Sequence, residues 1–324
     1  MADRLDKIGG GRALAGTNKL EILLFSLGAD ERSGRRETFG VNVFKVREVM
    51  RAPAVTTVPE MPAAVEGMVS LRGKLVPVMD LAKYAGVQTG NKPQLMIVTE
   101  YNMHVQGFLV EAVDTILRLD WSAMKVPPAM LNDQMGGLVT AVTELPDKRL
   151  VMMVDMEKIL AETTNYVDTH IFDAIRPVEE AEDKPYTVYY ADDSSTARKQ
   201  VEMILNALSV NGRSANNGKQ AWEELQQIAS EAAVRGESVK DTIQLVLTDV
   251  EMPEMDGYVL TKLIKSDLRF AGIPVLMYSS LSSVNELFGQ SMGVDAYVSK
   301  MQPQTLAETI TRYLKHEAGQ LATA

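Results

Sequence analysis

The sequence predicts a multidomain chain, with an all-β half followed by an α/β half built on a doubly wound parallel sheet. Short apolar segments split by Gly and Pro recur over residues 21–154, which favours small β-barrels. From residue 186 onward, apolar strands alternate with amphipathic helices, a pattern typical of βαβ units. Residues 177–185, where two prolines bracket four acids and one base, have the composition of a linker.

Composition excludes several classes of function. The 324 residues suffice for two or three domains with real cores, and a net charge of −10 without a basic stripe argues against nucleic-acid binding. The absence of Cys removes disulfides, thiolate metal sites and cysteine nucleophiles. Residues 1–17 are polar and Gly-rich, and no apolar run reaches the ~20 residues of a membrane span. We therefore expect a cytoplasmic protein without direct membrane insertion.

The first half reads as two similar sets of strands after a flexible lead-in at residues 1–18. The first set is predicted at residues 21–27, 39–46, 54–58, 65–70 and 74–79, with a short helix at 80–84. The second set is predicted at residues 94–99, 104–109, 114–119, 137–142 and 149–154, and it ends in a helix at 155–160 capped by Asp155. The similar order of the sets indicates two subdomains of one unit.

In the second half, strands alternate with helices. Strands are predicted at residues 186–191, 245–247, 273–278 and 294–299, and helices at 196–208, 219–233, 259–267, 284–291 and 303–315. This order predicts a five-stranded parallel sheet that is covered on both sides. Residues 221–241 read as an extended second helix and a polar loop.

Polar side chains follow four of these strands. They are the pair Asp192-Asp193, then Asp249, Ser279 and Lys300. Because parallel strands place their carboxyl ends at one edge of the sheet, we expect these side chains to lie together. Taken alone, Asp249 is more typical of a residue that opens a turn.

Such a cluster has a use in phosphoryl transfer. Mg²⁺ prefers oxygen ligands, which the carboxylates of Asp192, Asp193 and Asp249 and the backbone carbonyl of Glu251 could supply. Mutual repulsion of the carboxylates favours binding of a divalent cation. A phosphoryl group on Asp249 would contact the metal, the Ser279 hydroxyl and Lys300. The positions of these groups would let them neutralise the negative charge of the phosphoryl oxygens.

Residues 184–315 resemble a two-component receiver domain. The matching motifs are Asp192-Asp193, Asp249, Met252-Pro253, Asp256-Gly257, Ser279, Tyr297 and Lys300. The resemblance implies a flavodoxin-like (βα)5 fold that uses Mg²⁺ and catalyses only its own phosphorylation on Asp249 and its dephosphorylation. It also implies a switch formed by Ser279 and Tyr297; packing alone is the alternative role for Tyr297. Two departures are Met301 where the family usually has Pro, and Glu251, an extra carboxylate expected to alter the lifetime of the phosphorylated state.

Residues 21–162 contain no catalytic constellation. Their most distinctive local pattern is a strand, a turn that contains Arg72 and Gly73, and a second strand. From the residues alone, this pattern favours a β-hairpin whose Arg72 side chain is solvated. The stretches 70–81 and 39–49 are, however, similar to CheW-type coupling domains. That resemblance implies two SH3-like five-stranded barrels without enzymatic activity that link chemoreceptor tips to a histidine kinase. It matches Val46, Glu48 and Arg72 to residues of kinase or receptor contacts.

The order of coupler and receiver is similar to that of CheV-type chemotaxis proteins. It implies an adaptor of cytoplasmic chemoreceptor arrays that couples the receptors to the kinase CheA. Phosphotransfer from the kinase histidine to Asp249 would modulate this coupling or make the chain a phosphate sink. We expect the coupling domain at residues 19–170, a linker at 171–184, the receiver at 185–316 and a tail at 317–324.

Two other functions use the same residues. A phosphohydrolase would use Asp249 as a nucleophile on small phosphate esters, but Glu251 stands where a second Asp is expected and no substrate cap is evident. A transcription regulator would need a DNA-binding output, for which no basic segment is present.

Overall fold

A computed structural model describes residues 19–58, 61–62, 64–101, 104–128, 130–131, 135–164, 175–178, 185–279, 293–300 and 302–321. The lead-in predicted at residues 1–18, the helix predicted at 284–291 and Met301 lie outside them. The chain forms two compact units; the first is Lys19–Tyr166, and the second holds the rest of the described chain. None of the described helices is long and apolar enough to cross a membrane.

The first unit contains two five-stranded sheets. Its strands are β1 (Lys19–Ser26), β2 (Thr38–Asn42), β3 (Val46–Arg51), β4 (Val65–Leu71), β5 (Lys74–Asp80), β6 (Leu95–Tyr101), β7 (His104–Val110), β8 (Ala112–Asp120), β9 (Val139–Glu144) and β10 (Leu150–Val154). One sheet has the order β8-β1-β2-β10-β9 and the other β3-β6-β7-β5-β4. The short helices α1 (Leu81–Tyr84) and α2 (Met156–Thr164) follow β5 and β10, and Asp80 and Asp155 accept backbone hydrogen bonds at their starts. The predicted all-β class is confirmed.

The two sheets do not correspond to the two sets of strands expected from the sequence. β1 and β2 of the first set pair with β8 and β10 of the second, whereas β3 pairs with β6. The strand predicted at residues 39–46 is interrupted, because Asn42 accepts a hydrogen bond from the Phe44 N–H (3.0 Å) and starts a 3-10 turn, Val43–Lys45. The chain crosses there from one sheet to the other. The strand predicted at residues 54–58 is reduced to a single bridge between Thr56 and Met68.

The second unit is a five-stranded parallel sheet with helices on both faces. Its strands are β11 (Thr187–Ala191), β12 (Asn211–Ala215), β13 (Leu245–Thr248), β14 (Val275–Ser279) and β15 (Ala296–Ser299), in the order β12-β11-β13-β14-β15. The described helices are α3 (Ser195–Ala207), α4 (Gly218–Arg235), α5 (Gly257–Ser266) and α6 (Pro303–Leu321). One core packs α3 and α6 against the sheet, and another packs α4 and α5 against its opposite face. The doubly wound fold is confirmed.

Three details of this unit differ from the expectations. The edge strand β12, with the sequence NGRSA and four exposed residues, carries no apolar signal that would predict it. Helix α6 continues to Leu321 instead of ending near Lys315, into residues that we expected to form a tail. The predicted linker is described only at residues 175–178, and Val178 there is buried, although its acidic neighbours favour exposure.

Val178 is anchored to the sheet and helices of the second unit. Its N–H donates to the carbonyl oxygen of Leu208 (2.9 Å), and its side chain joins the core that packs α3 and α6. A single apolar residue between Pro177 and a run of acids was too weak a signal to predict this contact. The second unit, which we call the receiver unit after its predicted class, therefore begins before its first strand.

Candidate functional site

Four strands deliver polar side chains to one edge of the second sheet. Asp192 follows β11, Asp249 follows β13, Ser279 ends β14 and Lys300 follows β15. The register places Ala191 beside Thr248, and Ser279 beside Ser299. Since all four strands are parallel, their carboxyl ends lie at the same edge of the sheet. At this edge the backbone N–H of Lys300 donates to the carbonyl oxygen of Ser279 (3.0 Å).

A buried ammonium group lies between two buried carboxylates. The Nζ atom of Lys300 is 2.7 Å from Oδ2 of Asp192 and 3.0 Å from Oδ2 of Asp249. It also lies 5.8 Å from the centre of the Tyr278 ring. Attraction between unlike charges is strong away from water, so this contact fixes the positions of all three ionised side chains.

Asp193 completes a cluster of three carboxylates. Asp192, Asp193 and Asp249 each offer an oxygen atom, and these atoms lie within 4.8 Å of one another. Asp193 is half-buried, whereas the other two are buried. A single ammonium group offsets one of three negative charges, so the cluster retains the charge and the hard oxygen ligands that suit a divalent cation. Glu251 lies in the loop that follows Asp249, and its side chain is half-buried.

Backbone hydrogen bonds orient the two aspartates. The N–H of Asp249 donates to the carbonyl oxygen of Ala191 (2.8 Å), and the N–H of Val250 donates to Oδ1 of Asp249 (2.7 Å). Oδ1 of Asp192 accepts from the N–H of Ser194 (2.9 Å), and Ser194 in turn caps helix α3. In both carboxylates the Oδ1 atom is held by the backbone, and Oδ2 is the atom that approaches Lys300.

The loop after Asp249 is packed tightly against the start of helix α5. The N–H of Gly257 donates to the carbonyl oxygen of Val250 (2.9 Å). A Cβ atom at Gly257 would lie 2.0 Å from the carbonyl oxygen of Asp249, which only glycine avoids. Asp256 caps the helix by accepting from the N–H of Val259 (2.7 Å), and burial raises the pKa of its carboxyl group to about 6.

Ser279 and Tyr297 lie on the neighbouring strands β14 and β15. Ser279 is buried, and the hydroxyl oxygen of Tyr297 is shielded from solvent. Burial raises the pKa of Tyr297 to about 12, and the nearby hydroxyls of Tyr258 and Ser279 act in the opposite direction. Tyr297 is thus turned inward, packed beside Tyr258. Tyr258 is not among the residues predicted from the sequence; its only signal there is its position as an aromatic residue directly after the Asp256-Gly257 motif.

The three residues matched to coupling contacts lie in the first unit, but they differ in accessibility. Glu48 and Arg72 form an ion pair at the surface, with Nη2 of Arg72 3.0 Å from Oε2 of Glu48. Arg72 and Gly73 form a two-residue hairpin turn between β4 and β5, with φ values of 48° and 79°. Val46, by contrast, is buried in the first unit's core, so its side chain is not presented to a partner.

Comparison with known proteins assigns a family to each unit. Residues 21–164 match the family described as CheW-like domain, and residues 188–311 match the response regulator receiver domain. The chain is 27% identical to chemotaxis protein CheV1 of Helicobacter pylori, with 97% of this chain and 99% of that protein covered. It is 28% identical to CheV3 of the same organism, with 93% and 96% covered. Its first half is 28% identical to a probable chemotaxis protein CheW of Rhizobium etli, with 44% of this chain and 88% of that protein covered.

Proposed function

Because this chain is of the CheV type, a CheW-like domain followed by a response regulator receiver domain, we propose that it is a chemotaxis adaptor tuned by phosphorylation of Asp249. The CheW-like half would couple chemoreceptor tips to the regulatory domain of the histidine kinase CheA in receptor arrays. The receiver half would accept the phosphoryl group of the kinase's phosphohistidine. We assign residues 19–170 to the coupling domain and residues 185–316 to the receiver domain, which also includes Val178, packed in its core, and the end of helix α6 at Leu321.

The observation that carries the proposal is the placement of Lys300 against Asp192 and Asp249 at the carboxyl edge of the parallel sheet. A carboxylate oxygen of Asp249 would attack the phosphorus atom and form a P–O bond. The P–N bond breaks, its electron pair stays on the imidazole nitrogen, and that nitrogen takes up a proton from water. Lys300 then neutralises charge on the phosphoryl oxygens, to which the hydroxyl of Ser279 donates a hydrogen bond.

The donor set at this edge fits Mg²⁺. The carboxylates of Asp192, Asp193 and Asp249 and the backbone carbonyl of Glu251 would hold the ion, because hard oxygen ligands with surplus negative charge are what it requires. When bound, the ion neutralises charge on the phosphoryl group during transfer. The same residues would support hydrolysis of the aspartyl phosphate, so that the chain catalyses only its own phosphorylation and dephosphorylation.

A phosphoryl group on Asp249 would change the coupling through Ser279 and Tyr297. The hydroxyl of Ser279 would move toward the phosphoryl oxygens, and Tyr297 would occupy the space behind it. The inward packing of Tyr297 beside Ser279 supports this assignment. Phosphate can shift such a switch only if it favours one arrangement over the other. Alternatively, the receiver would act as a sink that draws phosphate from competing receivers.

Phosphorylation of Asp249 is tested with a radiolabelled acyl phosphate donor and Mg²⁺. Wild-type chain should take up one alkali-labile phosphoryl group, and Asp249→Asn should take up none. Asp267→Asn is the matched control, because Asp267 lies in the same unit but only caps a 3-10 turn and pairs with Arg269. Label retained by Asp249→Asn, or none on wild type, refutes the assignment. Release of many phosphates per chain from a generic ester, abolished by Asp249→Asn, would establish a phosphohydrolase instead.

The coupling contacts are tested at the Glu48–Arg72 pair. Arg72→Ala should weaken binding of the chain to the kinase regulatory domain by roughly tenfold, measured by calorimetry, since a surface arginine at an interface contributes charge and contact area. Arg118→Ala is the control, because Arg118 is also exposed and approaches an acidic residue, Glu21, on the other sheet. Equal affinities for the two variants would exclude Arg72 from the contact.

A further inference from the structure

Arg198 is a half-buried arginine in the first turn of helix α3, and its side chain reaches back to the end of strand β11. Nη1 of Arg198 donates to the carbonyl oxygen of Asp192 at 2.7 Å. Its backbone N–H donates to the carbonyl oxygen of Ser194 (3.0 Å), the residue that caps the same helix. The helix therefore holds the guanidinium group next to the peptide bond that joins Asp192 to Asp193.

The acceptor of this hydrogen bond is a backbone carbonyl and not a carboxylate. A charged donor makes such a bond stronger than one between neutral groups. Because the peptide unit is planar, a bond that fixes its carbonyl oxygen also fixes the direction in which the chain enters Asp193. The backbone is held on the other side of Asp192 as well, since its N–H donates to the carbonyl oxygen of Ala215 (3.2 Å).

The two acidic residues depend on this backbone to different degrees. The side chain of Asp192 is held at both oxygens, by the N–H of Ser194 (2.9 Å) and by Nζ of Lys300 (2.7 Å). Asp193 is half-buried, and one of its carboxylate oxygens lies within 4.8 Å of oxygens of the other two members of the cluster. The backbone that carries Asp193 sets the direction of that side chain, so the contact of Arg198 bears on Asp193 more than on Asp192.

We propose that Arg198 is a positioning residue for the Mg²⁺ site, which orients Asp193 through the carbonyl oxygen of Asp192. This inference rests on the proposed function, because Asp193 is a ligand only if the cluster binds Mg²⁺. Arg198 is not itself a ligand, because a guanidinium group offers hydrogen-bond donors and no acceptor. Residues that hold metal ligands in place typically contribute about ten- to a hundredfold to metal affinity.

The charge of Arg198 and its contact with Asp192 have opposite effects on Mg²⁺ binding. A guanidinium group beside the cluster repels a divalent cation, so removal of its charge alone would strengthen binding. Loss of the contact would weaken binding, because the Asp193 carboxylate would no longer be held toward the other two. The sign of the change therefore separates a positioning role from an electrostatic one.

The test is Arg198→Met in the full-length chain, which removes the donor and the charge but keeps an unbranched side chain suited to a helix. We expect the dissociation constant for Mg²⁺ to be about tenfold higher than in the wild type. This constant is taken from the rise in the unfolding free energy of the receiver unit with Mg²⁺ concentration, followed by fluorescence of Trp222 in a Trp121→Phe background. A purely structural role would lower the unfolding free energy in EDTA and leave the constant unchanged.

Lys199→Met is the matched control, because Lys199 is the exposed neighbour of Arg198 on α3 and its replacement also removes one positive charge. Its dissociation constant should equal that of the wild type or be slightly lower. Arg198→Lys keeps the charge and an N–H donor, so it should recover part of the affinity lost in Arg198→Met. An unchanged or lower constant in Arg198→Met, or an equal increase in Lys199→Met, overturns the positioning role.

A double-mutant cycle identifies the residue through which Arg198 acts. In an Asp193→Ala background, Arg198→Met should raise the dissociation constant by less than about twofold, because the ligand that it orients is already absent. The full tenfold loss in that background would show that Arg198 does not act through Asp193.

Phosphoryl uptake on Asp249 is measured on the same preparations and tests the proposed function separately. A wild type that binds Mg²⁺ but takes up no phosphoryl group would refute that function, while weakened Mg²⁺ binding in Arg198→Met would still establish the positioning role. Uptake by the wild type together with unchanged Mg²⁺ affinity in Arg198→Met would leave the function standing and overturn the inference. A wild type that Mg²⁺ does not stabilise would overturn both the assignment of the ion and this inference.

Discussion

The ammonium group of Lys300 lies 3.0 Å from a carboxylate oxygen of Asp249, and both side chains are buried. The same Nζ atom is 2.7 Å from Asp192. A cation at this point compensates two carboxylates that would otherwise repel each other in a medium of low dielectric constant. The contact between Lys300 and Asp249 therefore has a structural role as well as a proposed chemical role, and experiments can separate the two.

Lys300→Met should destabilise the receiver unit in the absence of metal. Removal of one partner of a buried ion pair leaves uncompensated charge and costs about 3 kcal/mol of unfolding free energy. Urea unfolding in EDTA, followed by fluorescence of Trp222 in a Trp121→Phe background, measures this loss. Added Mg²⁺ should stabilise the variant more than the wild type, because the carboxylates retain more negative charge. Lys262→Met, at an exposed position of α5, is the control, and equal losses in both variants would contradict the prediction.

Asp193→Asn should weaken Mg²⁺ binding by at least tenfold, because it removes a charged oxygen ligand from the cluster. A ligand that binds only the folded state stabilises it by about 2.7 kcal/mol at a concentration one hundred times its dissociation constant. The rise of the unfolding midpoint with Mg²⁺ concentration is therefore the measurement. Asp267→Asn should follow the wild-type curve. Identical curves for Asp193→Asn and the wild type would remove Asp193 from the ligand set.

Asp256 should make the receiver unit less stable as the pH rises from about 4 to 6. Burial raises the pKa of this carboxyl group to about 6, so the folded state holds the proton more tightly than the unfolded state, whose value is near 3.8. The stabilising contribution is complete below that value and is lost as the pH passes the folded pKa, a change of about 3 kcal/mol. Asp256→Asn keeps a helix-capping side chain but removes the titration.

The measurement is the unfolding free energy of wild type and Asp256→Asn between pH 4 and 7.5. Contributions from all other carboxylates cancel in the difference between the two proteins. From pH 4 to 7.5 the unfolding free energy of the wild type should fall by about 2.4 kcal/mol relative to that of Asp256→Asn, since part of the contribution is already lost at pH 4. Parallel curves would show that Asp256 keeps the same pKa in the folded and unfolded states.

Val178→Ala should destabilise the receiver unit by about 2 kcal/mol, since two buried methyl groups are removed from a packed core. The unfolding transition reported by Trp222 should shift, whereas that reported by Trp121, in the first unit, should not. Val234→Ala is the matched control, because Val234 is 89% exposed on α4. A transition that is the same in both variants would show that residues before β11 do not belong to the receiver core.

Much of the candidate site followed from the sequence because a parallel sheet brings the ends of its strands together whatever the loops between them contain. Asp192, Asp249, Ser279 and Lys300 each follow or end an apolar strand, so their proximity depended only on strand order. Tyr258 could not be selected in this way. It is buried beside Tyr297, but a tyrosine in an amphipathic helix usually indicates packing alone.

The first unit shows the opposite case. Apolar patterning predicted most of its strands, but alternation reports only which face of a strand is buried and not which strand pairs with it. The 3-10 turn after Asn42 moves the chain from one sheet to the other, and no hydrophobic period marks that turn. The same limit applies to Val46, whose match to a coupling contact gave no sign that its side chain lies in the core.

The amino-acid sequence by itself determined the two fold classes and the set of polar residues at the sheet edge, because local hydrophobic period and strand order are properties of the chain. Only the tertiary structure decided which strands share a sheet, that Val178 is part of the receiver core, and that Lys300 bridges two carboxylates. Those outcomes depend on contacts between distant segments, whose energies arise only when the segments pack together.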